Sequence, residues 1–197
     1  MTVGRALDVG SGSMVLFGDE RRRDVIHMDL DLYAIPNFIQ ADAQHLPIRS
    51  KCMDTVVLGE VLEHVADDIT VLAEATRVAR KRIVFSTPNE HLWPAEYSPF
   101  ITREERRILE EEPDIPTMAY DLVGIDPLCR GIFDETKHPH LWHTRWYDQV
   151  ALEASLKSTG WSYQVRTMSF NGWAFFLGVL EPPRGSVGEK LRSNGWS

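Results

Sequence analysis

The stretch that decides the fold is "RALDVGSGSM", residues 5–14. Its apolar run "ALDV" ends in "GSG", which contributes Gly10, Ser11 and Gly12. An apolar run that ends in Gly-x-Gly predicts a buried strand followed by a tight turn, because glycine lets a ligand approach the backbone closely. In an α/β sheet such a turn lies at the carboxyl end of the strand, where nucleotide-like ligands bind.

Short apolar runs alternate with helical patterns along much of the chain. Strands are predicted at residues 5–9, 24–29, 37–42, 53–59, 82–88, 161–168 and 173–181, and helices at 14–20, from Val65 onward and at 148–159. Apolar residues spaced three or four apart indicate the helix after Val65, and Asp67 or Asp68 can cap its start. Strands that alternate with helices favour an α/β fold, with a parallel sheet covered by helices on both faces.

Composition limits the partners and the compartment. The 197 residues suffice for one ordinary domain, and the net charge of −8 argues against duplex nucleic acid, which binds a basic face. The sequence has no run of 18 apolar residues and no signal-peptide pattern, so it predicts neither a membrane span nor export. Cys52 and Cys129 lack metal-ligand spacing and fit thiols in a reducing compartment, which predicts a cytoplasmic protein.

Residues 89–145 interrupt the alternation of strands and helices. They contain proline-bearing loops and the charged run "TREERRILEEE" (102–112), and regular structure returns only at Asp148. A long non-repeating segment inside a compact domain is typically a lid or a binding element. We therefore expect a single domain at 1–181 with a functional insertion at about 89–145, followed by a flexible tail at 182–197.

Asp29 ends the second predicted strand, 19 residues after Gly10. A carboxylate at this spacing can bind both hydroxyls of a ribose, although a solvated acid at a strand end is the plain alternative. A dinucleotide site would need a third glycine where the chain has Val15, and Asp8 would repel a pyrophosphate. The residues therefore favour a ligand with positive charge. S-adenosylmethionine has a sulfonium and an ammonium group but no phosphate.

Several motifs, taken in order, carry a family resemblance. "LDVGSGS", "HMDLD", "ADAQHLPI", "DTVVLGEVLEHV" and "RIVFSTPN" occur within residues 5–90, and "HTRWYDQVALEASLKSTGW" follows at 143–161. In this order they resemble the class I S-adenosylmethionine-dependent methyltransferases, of the methyltransferase-11-like family. The resemblance implies a Rossmann-like, doubly wound seven-stranded sheet with an antiparallel last strand. It also implies S-adenosylmethionine as methyl donor and S-adenosylhomocysteine as product.

The same resemblance implies roles for residues at the carboxyl ends of the first four strands. The expected cofactor contacts are Asp8, Gly10, Ser11 and Gly12 for the methionine part, Asp29, Leu30, Asp42 and Ala43 for the ribose and adenine, and Gly59 and Glu60 beside the sulfonium. Asp42 would hold the adenine amino group, and Ala43 would offer its backbone N–H to the ring. The alternative for Asp42 is that it only begins a turn.

The chain departs from the family pattern in three places. Met14 stands where many members have a third glycine, and its side chain would pack over the cofactor or into the core. Only 13 residues separate Asp29 from Asp42, so we expect the usual second helix to be missing. Only four residues precede the first strand, so we also expect no N-terminal cap helix. These differences predict an open flank, covered by residues 89–145, by a second copy in a homodimer, or by a protein partner.

The acceptor site is expected at the two ends of the insertion, because both ends meet the carboxyl edge of the sheet. His138, His140 and His143 lie within six residues of one another, beside two tryptophans, and His91 lies near the other end. His143 also matches a histidine that many family members carry before this helix. We predict His143 as the base or acceptor-orienting group, with His140 and Glu60 as further catalytic candidates. The alternative is that these histidines only form local hydrogen bonds.

A metal site is the alternative that "EVLEH" (60–64) raises. Glu60, Glu63 and His64 are predicted to share the first turn of a helix, with a fourth ligand from a histidine near 140. Small-RNA 2′-O-methyltransferases and ubiquinone-biosynthesis O-methyltransferases use a similar motif for a divalent cation, which can acidify an acceptor hydroxyl. The same pentapeptide also occurs in relatives that need no metal, and we predict no metal here.

The leading functional hypothesis is a methyltransferase that acts on an oxygen or nitrogen of a small molecule. A partner-dependent methyltransferase that acts on a macromolecule is the second hypothesis. A non-catalytic nucleotide-binding relative is the third, and the acids Asp8, Asp29 and Asp42 argue against it because a disused pocket need not keep them. The identity of the acceptor is not encoded in any motif of the sequence.

Overall fold

The computed structural model describes residues 4–12, 24–92, 143–170 and 173–183. In chain order the elements are β1 (Ala6–Val9), β2 (Val25–Asp29), β3 (Phe38–Gln40), β4 (Met53–Gly59), α1 (Asp68–Val78), β5 (Ala79–Pro88), a 3-10 turn (Glu90–Leu92), α2 (Gln149–Ser158), β6 (Ser162–Phe170) and β7 (Trp173–Glu181). All seven strands join one sheet in the order β3-β2-β1-β4-β5-β7-β6. Every predicted strand is therefore present.

The direction of the strands fixes where a ligand can bind. β1 to β5 pair in parallel, whereas β7 runs antiparallel to both β5 and β6. This is the predicted Rossmann-like, mostly parallel sheet with an antiparallel last strand. Because parallel strands end at the same edge, the glycine loop after β1 and the ends of β2, β3 and β4 lie along one carboxyl edge.

The described core joins one face of the sheet to α1 and α2, which contact each other. Fully buried residues in this cluster include Leu7, Leu58, Leu72 and Leu152. Side chains alternate between faces along a strand, so Asp8 in β1 lies on the opposite face from Leu7. The sheet therefore has an apolar face against these two helices and, on the other face, polar residues near its carboxyl edge.

Both described helices start at the caps that the sequence predicts. The Asp67 carboxylate accepts the N–H of Thr70 at 3.0 Å, and α1 begins at Asp68. The Asp148 carboxylate accepts the N–H of Ala151 at 2.7 Å, and α2 follows. A capping carboxylate satisfies one of the N–H groups that have no partner inside the helix.

β5 begins three residues earlier than predicted. Helix α1 passes into β5 without a loop, because Ala79 already has an extended backbone with ψ of 139°. The Lys51 ammonium donates to the carbonyl oxygens of Thr76 at 2.6 Å and Ala79 at 3.0 Å, which compensates the end of the helix. The basic residues 80–82 are therefore strand residues, and two of them, Arg80 and Lys81, pair with Asp54.

Residues 30–37 contain no helix, as the short spacing between Asp29 and Asp42 predicts. The predicted helix at 14–20, the larger part of the insertion including residues 102–112, the turn at 171–172 and the tail beyond 183 lie outside the described residues. Among the helices that are described, none has the length and apolar character needed to cross a bilayer.

Candidate functional site

The glycine loop after β1 is tied to the end of β2. The N–H groups of Gly10 and Ser11 both donate to the carbonyl oxygen of Met28, at 2.8 and 3.1 Å. The N–H of Gly12 donates to a carboxylate oxygen of Asp29 at 2.8 Å. All three loop amides are thus used inside the protein, which leaves no cluster of free N–H groups at residues 10–12 for a phosphate.

Gly10 is required for a close approach as well as for its backbone conformation. Its φ of +70° lies in the left-handed region, and a Cβ atom there would come within 2.5 Å of the Val61 side chain. Val61 belongs to the turn that follows β4. The glycine loop and that turn are therefore in direct contact.

Asp29 already accepts two backbone hydrogen bonds. Besides Gly12, the N–H of Asp31 donates to the other carboxylate oxygen at 3.0 Å. Each oxygen keeps a second lone pair, so the carboxylate can still accept hydroxyl groups from a ligand. Leu30 beside it is 48% exposed, which is high for a leucine at a strand end. The ribose role predicted for these residues is compatible with this geometry.

Asp42 begins a turn. Its carboxylate accepts the N–H of Gln44 at 2.8 Å, and the N–H of His45 donates to its carbonyl oxygen at 3.0 Å. This is the plain alternative named for Asp42, whose other carboxylate oxygen lies 3.9 Å from Nδ1 of His45. The adenine contacts predicted for Asp42 and Ala43 stay predictions.

Asp8 is buried and lies opposite a histidine. In the β1–β2 register Asp8 pairs with His27, whose Nδ1 atom lies 3.0 Å from an Asp8 carboxylate oxygen. Burial raises the pKa of Asp8, and Asp29 adds to this effect, whereas the contact with His27 opposes it. The buried Asp8 carboxylate, with the Asp29 carboxylate nearby, forms a site that gains from a bound cation.

The predicted helix at Glu60-x-x-Glu63-His64 is wrong. Glu60 has a left-handed φ of 53°, residues 62–64 form a single turn, and α1 starts only at Asp68. The carbonyl oxygen of Glu63 accepts hydrogen bonds from the Thr144 N–H at 2.7 Å and its hydroxyl at 3.1 Å. These bonds satisfy the acceptor that a continuing helix would use. Glu60 itself follows Gly59 at the end of β4, beside Ser86 of β5.

Glu63, His64 and His143 come together, although 79 residues separate the last two in sequence. One ligand atom from each lies within 4.8 Å of the others, and the two imidazole rings pack edge to face with centroids 4.8 Å apart. Glu63 is 1% exposed and accepts the Thr87 hydroxyl at 3.0 Å. This group unites three of the residues that the sequence named as metal ligands or bases, but Glu60 does not belong to it.

A buried carboxylate that the sequence reading treated only as a helix cap anchors the segment after His143. Asp68 is 3% exposed and accepts the Arg145 guanidinium, the Tyr147 hydroxyl at 2.7 Å and the Ser155 hydroxyl at 2.6 Å. Burial, together with Asp68, raises the pKa of Tyr147 well above its ordinary value, so the hydroxyl stays a donor. The signal in the sequence is an arginine and a tyrosine, two and four residues after His143, and no motif gives these residues a role.

Of three further histidines named from the sequence, one is described by the structure. His140 and His138 lie outside the described residues. His91 is exposed in the 3-10 turn after β5.

The comparisons with known proteins agree with this arrangement. Residues 7–85 match the family model described as a methyltransferase domain. A search of curated proteins returns no match. The matched residues contain β1 to β4, α1 and most of β5, and thus the glycine loop, Asp29 and Glu63.

Solved structures share the fold at low sequence identity. A possible histamine N-methyltransferase of Thermotoga maritima is 13% identical with a TM-score of 0.53, over 90% of this chain and 81% of that one. A Mesorhizobium loti S-adenosylmethionine-dependent methyltransferase is 18% identical with a TM-score of 0.53, over 91% and 92%. The CurJ carbon methyltransferase is 12% identical with a TM-score of 0.52, over 90% and 48%. At these identities the likeness is one of fold.

Two findings therefore agree. Residues 7–85 resemble a methyltransferase domain, and the whole sheet shares its fold with solved S-adenosylmethionine-dependent methyltransferases.

Proposed function

We propose that this enzyme transfers a methyl group from S-adenosylmethionine to an oxygen or nitrogen atom of a small molecule. One observation carries the proposal. Val61 packs against Gly10, so the turn that bears Glu63 and His64 is held beside the glycine loop, and His143 lies against that turn. A cofactor-binding edge and a group that can accept a proton are thereby neighbours.

The residues present fit the cofactor better than they fit a dinucleotide. Two carboxylates near the glycine loop favour a ligand with positive charge, and the loop amides are already bonded within the protein. We assign Asp8 and residues 10–12 to the methionine part, Asp29 and Leu30 to the ribose, Asp42 and Ala43 to the adenine, and Gly59 and Glu60 to the neighbourhood of the sulfonium. When bound, the cofactor supplies an activated methyl group on sulfur.

The protein's own task is then to orient the acceptor and to manage one proton. A hydroxyl or amine acceptor loses a proton as the new bond to carbon forms, and His143 can take it. Glu63 lies beside His64, with a carboxylate oxygen 3.8 Å from Nε2, so a carboxylate adjoins the two packed imidazole rings. Holding the acceptor in line and excluding water supplies the rest of the rate enhancement.

The choice of an oxygen or nitrogen acceptor rests on this proton acceptor. The printed descriptions of fold relatives include a possible histamine N-methyltransferase and a carbon methyltransferase, so the fold alone does not choose the atom. His143 sits at the end of the insertion, where a small acceptor would meet the edge of the sheet. The proposal also includes a cytoplasmic setting and a homodimer or protein partner that covers the open flank of the cofactor site.

Calorimetry and a methyl-transfer screen test the proposal in two steps. S-adenosylhomocysteine should bind and NADH should not. Radiolabelled S-adenosylmethionine is then incubated with phenols, amines and carboxylic acids, and in parallel with total RNA and with protein extract. Label transferred to a small phenol or amine supports the proposal. Transfer only to RNA or protein, or only to a carbon atom, would overturn it in favour of a macromolecular or carbon acceptor.

A further inference from the structure

We propose that His27 is a positioning residue of the cofactor site, whose ring N–H holds the Asp8 carboxylate in place and ionised for the positively charged methionine part of the cofactor. The inference rests on the proposed cofactor role of Asp8. The motif "HMDLD" begins with His27 but gave it no role, and His27 lies inside strand β2 rather than at its end.

The geometry singles out this pair. Asp8 and His27 are direct cross-strand partners in the parallel β1–β2 ladder, and Nδ1 of His27 lies 3.0 Å from Oδ2 of Asp8. The residues are 6% and 3% exposed, so water does not replace this contact. An ionised carboxylate can only accept, so Nδ1 carries the proton and donates it. Two residues after Asp8 the chain reaches Gly10, the first residue of the loop that follows β1.

The surroundings of Asp8 make this donor necessary. Burial and the charge of Asp29 both favour the protonated acid, and the contact with His27 is the influence that opposes them. The strands on either side place no charged residue directly beside this pair, because the register puts Val57 of β4 beside Asp8 and Phe38 of β3 beside His27. Without the ring N–H, Asp8 would hold a proton to higher pH and would lose its attraction for a cation.

The test compares cofactor affinity across pH in matched variants of the full chain. S-adenosylhomocysteine is the probe, because it retains the ammonium group and is stable, and calorimetry measures its dissociation constant from about pH 5 to pH 8. His27→Leu removes the donor at similar size. His27→Asn replaces Nδ1 with an amide N–H at about the same distance from the backbone. Asp8→Asn removes the charge that the donor serves.

The expected results separate positioning from a merely structural role. At neutral pH His27→Leu should weaken binding about tenfold or more, and the loss should shrink as the pH rises, because Asp8 then ionises without its donor. His27→Asn should restore affinity and the wild-type pH profile. Asp8→Asn should weaken binding at every pH, and adding His27→Leu to it should cost nothing more.

Two outcomes would overturn the inference. One is a His27→Leu protein with wild-type affinity and pH profile. The other is a further loss of affinity when His27→Leu is added to Asp8→Asn. If His27→Leu alone does not fold, the double variant and His27→Asn still decide, since they leave no bare buried carboxylate. If wild-type protein binds no S-adenosylhomocysteine, the proposed function fails, and this is distinguishable from failure of the His27 inference.

Discussion

The two halves of the site are built in different ways. On the cofactor side, backbone N–H groups hold the carboxylate of Asp29, and its partner Gly12 is only 17 residues away in sequence. On the acceptor side, buried carboxylates hold side chains from the other end of the chain, and Asp68 and Ser155 are 87 residues apart. Substitutions on the first side should therefore affect binding, whereas substitutions on the second should affect folding and turnover.

The largest effect is expected from Asp68→Ala. It would leave the partly buried Arg145 guanidinium and the buried Tyr147 and Ser155 hydroxyls without their shared acceptor. Breaking a fully buried pair costs about 3 to 5 kcal/mol, which is the upper limit expected here. Urea unfolding measures the change. The neighbouring Asp67→Ala is the control, since it removes only an exposed helix cap and should destabilise the protein much less. Equal costs for the two variants would show that the Asp68 network does not anchor this half.

His143→Ala should lower turnover about a hundredfold, which corresponds to about 2.7 kcal/mol of transition-state stabilisation. Its affinity for S-adenosylhomocysteine should stay near wild type, because the ring lies against the turn at His64 rather than at the glycine loop. His143→Gln keeps a hydrogen-bonding side chain but cannot take the proton, so it should be equally slow. Steady-state kinetics and calorimetry give both numbers. Near-normal turnover, or a loss that unfolding alone explains, would reject the role of His143.

Asp29→Ala tests the other half of the comparison. At a hundredfold excess over its dissociation constant, S-adenosylhomocysteine should stabilise the wild-type protein by about 2.7 kcal/mol, or about 5 to 10 °C in Tm. Asp29→Ala should lose most of this shift while the ligand-free protein stays folded.

Asp31→Ala is the matched control, since it keeps the N–H that Asp29 accepts and removes a neighbouring carboxylate instead. Stabilisation by NADH in place of S-adenosylhomocysteine would contradict the assignment of the cofactor.

The comparison also explains what the sequence could predict. The strands, both helix caps and the order of polar residues along the carboxyl edge follow from local patterns, because apolar spacing and capping act within a few residues. The single turn at Glu63 could not be predicted in this way. Its helical pattern is overridden by Thr144, which lies 81 residues later and takes the Glu63 carbonyl oxygen. The role of His27 could not be predicted for a related reason, because it depends on the strand register that places His27 beside Asp8.

Treatment with a chelator is expected to have the smallest effect, with activity retained. The structure assembles Glu63, His64 and His143 within 4.8 Å, yet Glu63 already accepts the Thr87 hydroxyl, and the two rings meet edge to face. In this arrangement His143 can accept a proton without a bound metal ion, and methyl transfer from a sulfonium does not need a Lewis acid. The measurement is turnover before and after EDTA, with Glu63→Ala alongside. Activity that disappears in EDTA, returns with magnesium or zinc and is absent in Glu63→Ala would instead make this group a metal centre. The acceptor side would then activate its substrate through an ion rather than through His143 alone.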